Sequence, residues 1–200
     1  MKLVVITDPE FIPDEAAIIN ALFRQGMTCL HVRKPDSKEA EFKALISEIE
    51  PDFLDKTAIH QHHRVAEACG IKRLHFTEQN RKATSPEQLE RLVEKKYVLS
   101  TSIHDVNEIT NLSPLFSYTF FGPVFDSISK KGLQTVLREN FILKKEFKKI
   151  PVIGLGGIDV ENVYKTKKMN LDGVAVLGAI WQEPARAIEK LNALQQEILR

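Results

Sequence analysis

The sequence predicts an α/β fold, a single (β/α)8 TIM barrel spanning residues 1–200 as one domain. Three observations predict it. Short β-branched runs recur eight times, and an amphipathic stretch of helical period follows almost every one. Strict strand–helix alternation implies parallel strands with right-handed crossovers. Eight units favour a closed barrel over a doubly wound sheet, which ordinarily stops at five or six strands, and no linker or low-complexity segment interrupts them.

The first strand is expected at 2–7, where Leu3-Val4-Val5-Ile6-Thr7 ends at Asp8. Pro13, Asp14 and Glu15 open a helix at 13–25, with acidic groups at its positive end. Strand 28–33 leads to helix 38–50, and strand 57–62 to helix 63–70. Strand 73–77 precedes helix 86–95, which has the clearest start: Ser85 as N-cap and Pro86 in the first helical position. The remaining strands are read at 97–103, 117–124, 151–155 and 173–178, and their helices at 105–111, 138–148, 160–168 and 182–199. Asp159 is expected to cap the helix after the seventh strand. Two hundred residues is near the lower limit for a barrel, so the loops must be short.

Lysine plus arginine number 28 against 27 acidic residues, a net charge of +1, so no global field recruits nucleic acid or an anionic membrane. The composition, 43% hydrophobic and 28% charged, suits a soluble globule able to bury roughly 70% of its unfolded surface. No run approaches the roughly 18 apolar residues of a membrane span, and the apolar start is too short for a signal peptide. Cys29 and Cys69 make no disulfide framework. The reading is two reduced, mostly buried thiols in a cytoplasmic protein.

In barrels the chemistry lies at the carboxyl ends of the strands. All six histidines, His31, His60, His62, His63, His75 and His104, fall within or just after the second to fifth strands. Period-two alternation puts His31 with Arg33 on one face, His60 with His62, and Ser100 with Ser102 and His104. Leu30, Val32, Ile59 and Ile103 then face the helices. Arginine beside imidazole suits an anionic heteroaromatic ligand; the bland alternative is an Arg33 ion pair with Glu39. Gly154-Leu155-Gly156-Gly157 and Gly178 leave the last two strands where barrels usually hold phosphate. Ser127, Ser129, Lys130 and Lys131 lie in a long loop after the sixth strand that reads as a lid over that phosphate, or else as a solvated loop.

These segments carry a family resemblance over essentially the whole chain. Val5-Ile6-Thr7-Asp8, His31-Val32-Arg33, Ser102-Ile103-His104 and Phe121-Gly122-Pro123-Val124-Phe125 are matching pieces, as are Ser129-Lys130-Lys131-Gly132, Ile150 through Gly157, and Asp172-Gly173-Val174-Ala175-Val176. In order and spacing they resemble the thiamine phosphate synthases and their sister branch, the thiazole tautomerases. The resemblance implies a thiazole phosphate held at Gly156, Gly157 and Gly178. It also implies, for a synthase, a pyrimidine diphosphate whose diphosphate departs before the thiazole nitrogen captures the pyrimidine cation. A leaving diphosphate requires cations, ordinarily Arg, Lys and Mg2+.

The chain departs from the synthase pattern on that half of the site. The family's Gln-x-Arg-x-Lys reads His31-Val32-Arg33-Lys34-Pro35, its Asn-Asp reads His60-Gln61, and its acidic metal ligand after the fourth strand reads Asn80, with Glu78 nearby. Mg2+ is therefore expected only if synthase activity is retained; no metal ligand is assigned. The lost charges favour a metal-free tautomerase, yet the histidine that branch carries after Phe-Gly is Pro123 here. The assignment is His31, Arg33, His60 and His104 as catalytic residues, with His60 and His104 the better acid/base candidates. Substrate and phosphate binding fall to His75, Ser102, Ser127, Ser129, Lys130, Gly156, Gly157 and Gly178. Three other functions compete: a metal hydrolase using His60-x-His62, a non-catalytic sensor of thiazole or thiamine phosphate, and a bare scaffold. Phe11, Phe116 and Trp181 are interface residues of a homo-oligomer if exposed.

Overall fold

The structure is a computed structural model that describes residues 1–126, 137 and 140–200. Eight parallel strands close in chain order: β1 (Lys2–Ile6), β2 (Leu30–Val32), β3 (Thr57–Ile59), β4 (Arg73–Phe76), β5 (Val98–Ile103), β6 (Phe116–Phe121), β7 (Val152–Leu155) and β8 (Gly173–Val176). Closure is made by β1 on β8, with Lys2 beside Gly173 and Val5 beside Val176. A methyl group on Gly173 would lie 2.6 Å from the Lys2 carbonyl oxygen, so this seam accepts only glycine without shifting.

The helices are α1 (Glu15–Arg24), α2 (Glu39–Ser47), α3 (His63–Ala68), α4 (Glu78–Ala83), α5 (Pro86–Glu94), α6 (Val163–Lys168), α7 (Gly178–Trp181) and α8 (Ala187–Leu199). Helix α5 starts as its sequence dictates. The Ser85 hydroxyl accepts from the Gln88 amide while the Gln88 side chain accepts from the Ser85 amide. The Asp159 carboxylate accepts from the amides of Glu161 and Asn162, capping a turn that precedes regular α6. No helix among the described residues is long and apolar enough to cross a membrane.

Three expectations are corrected. Helix 138–148 does not form over its described part, where only Lys145–Phe147 makes a short 3-10 turn. Leu143 is tied down instead: its amide donates to the Met169 carbonyl, and its carbonyl accepts from the Asn170 side chain. The stretch 105–111 is likewise a 3-10 helix over Val106–Asn111. Helices α4 and α7 occupy segments read as loop or strand, although Thr77, which accepts from the Asn80 amide, is an ordinary N-cap.

Alternation sorts the two cores. Leu3, Val5, Leu30, Val32, Ile59, Leu74, Leu99 and Ile103 face the helix ring, while Val4, Ile6, Tyr118, Phe120, Ile153 and Ala175 fill the barrel. Phe116 and Trp181 are buried, the latter donating its indole N–H to the Ile6 carbonyl, so of the three interface candidates only Phe11 is exposed. Both cysteines are free and half-buried rather than deeply buried.

The loops after β1 and β2 are joined by a buried ion pair. The Lys34 ammonium, 0% exposed, donates to both Glu15 carboxylate oxygens (2.8 and 2.7 Å) and to the carbonyls of Asp8 (2.8 Å) and Glu10 (2.6 Å). Burial pushes the Glu15 carboxyl up, and Lys34 opposes that. Removing one partner strands the other charge in the interior. Lys34→Met should therefore destabilise the protein by about 3–5 kcal/mol in urea unfolding, with a smaller loss when Glu15→Gln is added. Equal losses in the single and double variants would contradict this coupling.

Candidate active site

Inside the barrel the inward positions of β2, β4, β5 and β6 carry polar groups. His31, His75 and Ser100 project inward there, with Tyr118 and Phe120 opposite and His60 entering just past β3. His31 Nδ1 is hydrogen-bonded to His60 Nε2 at 2.9 Å, and His31 Nε2 to the Tyr118 hydroxyl at 2.6 Å. His75 bonds Ser100 through Nδ1 (2.9 Å) and Ser102 through Nε2 (2.8 Å). The His60 and His75 rings stack with centroids 4.0 Å apart, and His75 also stacks on Phe120 at 4.9 Å.

Burial dominates the electrostatics. The His31 imidazole is pulled down to about 3, chiefly by desolvation and secondarily by Arg73. His60 and His75 are held well below the ordinary range, first by burial and then by neighbouring imidazoles and Arg33. Burial pushes the Tyr118 phenol up. All three imidazoles are thus neutral at physiological pH, and the tyrosine keeps its proton.

The remaining histidines separate from this cluster. β3 ends at Ile59 and His62 adopts a left-handed conformation, which swings its ring outward against Phe42 and Ser37. His60 and His62 therefore do not share a face, and the paired-ligand hydrolase site does not form. His63 bonds the His75 carbonyl and faces an outer cleft of about 570 Å³ with Arg64, Phe76, Arg91 and Tyr97. β5 ends at Ile103, so His104 leaves the Ser100–Ser102 face. Its side chain is 71% exposed and bonds Glu78 at 2.8 Å, which removes it from the cluster.

Arg33 is half-buried above the imidazoles, and the Thr7 hydroxyl accepts from its amide and donates to its carbonyl. The alternative reading of Arg33, an ion pair with Glu39, is not formed among the described residues; Glu39 pairs with Lys43 and Arg64. Gly156 and Gly157 take φ of +100° and +64°. Their shape also serves packing, because the amides of Val124 and Phe125 donate to the carbonyls of Leu155 and Gly156, and a methyl on Gly157 would meet the Asp126 carbonyl oxygen at 2.5 Å. Asn162 braces the same turn by donating to the Gly157 carbonyl and accepting from the Asp159 amide. Gly178 opens α7. Ser127, Ser129 and Lys130 lie outside the described residues.

One nitrogen from each of His31, His60 and His75 lies within 4.8 Å of the others. Rings stacked at 24° keep the His60 and His75 lone pairs in near-parallel planes, which do not converge on one ion. Mg2+ requires oxygen ligands, usually carboxylate. The Gln61 side-chain oxygen is engaged by the Lys34 amide. Glu78, pulled down to about 2 by His104 and Lys82, is engaged by both. Lys34, next to the position where the family motif has its lysine, is engaged by Glu15. The described residues do not fit a Mg2+ cage.

The sequence profile described as thiamine monophosphate synthase matches residues 3–180. The chain belongs to this family. The thiamine-phosphate synthase of Pyrococcus abyssi is 25% identical over 205 residues, covering 100% of this chain and 97% of that protein. That of Hydrogenobaculum sp. is 24% identical, covering 99% and 95%. Among solved structures, the thiamine phosphate pyrophosphorylase of Bacteroides thetaiotaomicron superposes with a TM-score of 0.78 at 25% identity, covering 99% of this chain and 98% of that one. The 3-keto-L-gulonate-6-phosphate decarboxylase of Vibrio cholerae, at 14% identity and a TM-score of 0.73, shares the fold.

Sequence reasoning missed Tyr118, Phe120 and Asn162. The first two were legible as alternate residues of Phe116-Ser117-Tyr118-Thr119-Phe120; nothing local marked Asn162. The depressed imidazoles also fix a pH dependence. Unfolding frees them to bind protons near 6.5 that the native state refuses down to about 3 for His31. Stability is complete above 6.5 and is lost as the pH falls through that window. Urea midpoints should drop steadily from pH 7 to pH 5, and less steeply in His31→Gln; a flat wild-type profile would contradict the assignment.

Proposed function

We propose that the protein is a thiamine-biosynthetic transferase that binds a thiazole phosphate and joins it to a pyrimidine bearing a methylene diphosphate. The observation that carries this reading is the family match along nearly the whole chain, supported by Arg33, Ser102 and the glycine turn, which lie in or just after strands β2, β5 and β7. In this reaction the carbon–oxygen bond to diphosphate breaks first, and the thiazole nitrogen then forms its bond to the methylene carbon of the pyrimidine cation. Arg33 supplies positive charge to an anionic substrate. Gly156, Gly157 and Gly178 form the thiazole phosphate seat, and Ser127, Ser129 and Lys130 are assigned to the same phosphate by the resemblance. The substrates are small molecules.

A second reading is favoured by the failed Mg2+ fit and by the neutral imidazoles: a metal-free isomerase that moves a proton between two positions of a thiazole phosphate. His60 and Ser102 are its residues toward substrate.

Calorimetric titration with thiazole phosphate, then with the pyrimidine diphosphate, each with and without Mg2+, separates the two. The transferase reading expects both to bind and thiamine phosphate to form on mixing. Binding of thiazole phosphate alone would overturn it and leave the isomerase. In either case Arg33→Ala should weaken anion binding about 10- to 100-fold, the range for a lost hydrogen bond to a charged group; unchanged affinity would remove Arg33 from the site.

A further inference from the structure

The lysines of this chain are unevenly placed. Residues 142–149 and 163–170 carry seven of them against a single acidic residue, Glu146, in a chain of net charge +1, so the rest of the molecule is net negative. Tertiary structure joins the two stretches. The Leu143 amide donates to the Met169 carbonyl, and the Asn170 side chain donates to the Leu143 carbonyl. Further along the same strip, the Lys148 ammonium donates to the Asn170 carbonyl (3.0 Å) and to the Asp172 carboxylate (2.9 Å). The strip is thus pinned at Leu143 and at Lys148 against the segment that follows α6.

The cations left at this surface are unpaired. Lys144, Lys145 and Lys149 on the strip are exposed, as are Lys165, Lys167 and Lys168 on α6. None of the six makes an ion pair among the described residues, where Lys148 alone of the seven does. Elsewhere Lys43, Lys82 and Lys190 each meet a glutamate. The dipole of a helix C-terminus accounts for cations in the last turn of α6, but not for those on the strip. Two large apolar side chains stand among them. Ile142 is 62% exposed and Phe147 41%, and the Lys144 ammonium lies 5.6 Å from the centre of the Phe147 ring. Salt screens charge over about 8 Å at physiological strength, so a local cluster keeps its own field in a chain that is nearly neutral as a whole.

We propose that this surface docks the protein reversibly on a bilayer rich in anionic lipid. Two observations select lipid over other polyanions. The cations are all lysines, compact point charges that suit a diffuse array of headgroups, whereas paired recognition of a phosphate uses the arginine fork. The exposed Ile142 offers nothing to a phosphodiester backbone, but beside Phe147 it gives the face an apolar component that can enter the headgroup–acyl boundary, and charge with apolar insertion is the pairing that peripheral attachment uses. The position fits. Both stretches lead into the starts of β7 and β8, at the amino end of the barrel, whereas Ser102 and the glycine turn lie at the carboxyl end. A protein resting on this face keeps its mouth open to solvent, so docking does not depend on which reaction the site performs.

The test is co-sedimentation of the full-length protein with vesicles of phosphatidylcholine alone or of an equimolar mixture with phosphatidylserine. The protein should pellet with the mixed vesicles, stay in solution with the neutral ones, and be released as salt is raised. Lys144→Gln, Lys145→Gln and Lys168→Gln, combined, should lower the partition coefficient about fivefold for each charge removed. Phe147→Ser should weaken binding to the mixed vesicles while leaving retention on a cation-exchange resin unchanged; Ile142→Ser carries that arm if Phe147→Ser fails to fold. Equal pelleting with both vesicles, or with neither, overturns the proposal, as does unchanged partition in the triple lysine variant. Loss of vesicle binding in Arg33→Ala overturns it too, by placing the lipid phosphate at the barrel mouth. Capture of a single-stranded RNA oligonucleotide without vesicle binding overturns it in favour of a nucleic acid.

Discussion

Closing eight parallel strands into a barrel takes the deep inward side chains out of water, so each polar group there must find its hydrogen-bond partner among the others. The interior of this barrel is organised by that constraint. Three imidazoles, a phenol and two serine hydroxyls satisfy one another around Phe120. The apolar residues Val4, Ile6, Ile153 and Ala175 fill what is left. Because the groups are buried together, they are neutral together, and their chemistry is that of tautomers rather than of charged acids and bases.

The mouth of the barrel is held by different means. On one side the buried Lys34–Glu15 pair fastens the first two loops, and the adjacent Thr7 hydroxyl fixes the Arg33 backbone. On the other, Gly156 and Gly157 press their backbone against the loop after β6 so closely that a side chain would collide with it. The glycine turn therefore has a packing reason as well as the anion-binding one. Arg33 is close enough to His60 and His75 to depress them, and has no carboxylate partner among the described residues.

Family membership and local chemistry bear on different halves of the site. The fold and the match over residues 3–180 accord with a thiamine monophosphate synthase. The positions where the resemblance expects a lysine and acidic groups now hold Pro35, Gln61 and Asn80. The nearest substitutes, Lys34 and Glu78, are engaged in ion pairs of their own. What replaced the polar amides of the family motif, His31 and His60, was drawn into the interior network.

Period-two and period-3.6 patterning determined the strand order, the outward face of each strand and the clearest helix start at Ser85, because these depend on residues close in the chain. The same local signals offered His31, His60, His75, Arg33, Ser102 and the glycine turn as candidates for a site at one end of the barrel. Tertiary structure decided which histidines meet. His104 lies one residue and His62 three residues past a strand end, where alternation no longer holds, and they turned outward. It also decided charge: burial, which no local pattern reports, made the three meeting imidazoles neutral. Lys34 looked available from its place beside a motif, but Glu15, nineteen positions away, claimed it. Sequence fixes which groups a strand offers inward; only closure of the barrel determines which of them share a hydrogen bond, because that depends on register between strands distant in the chain.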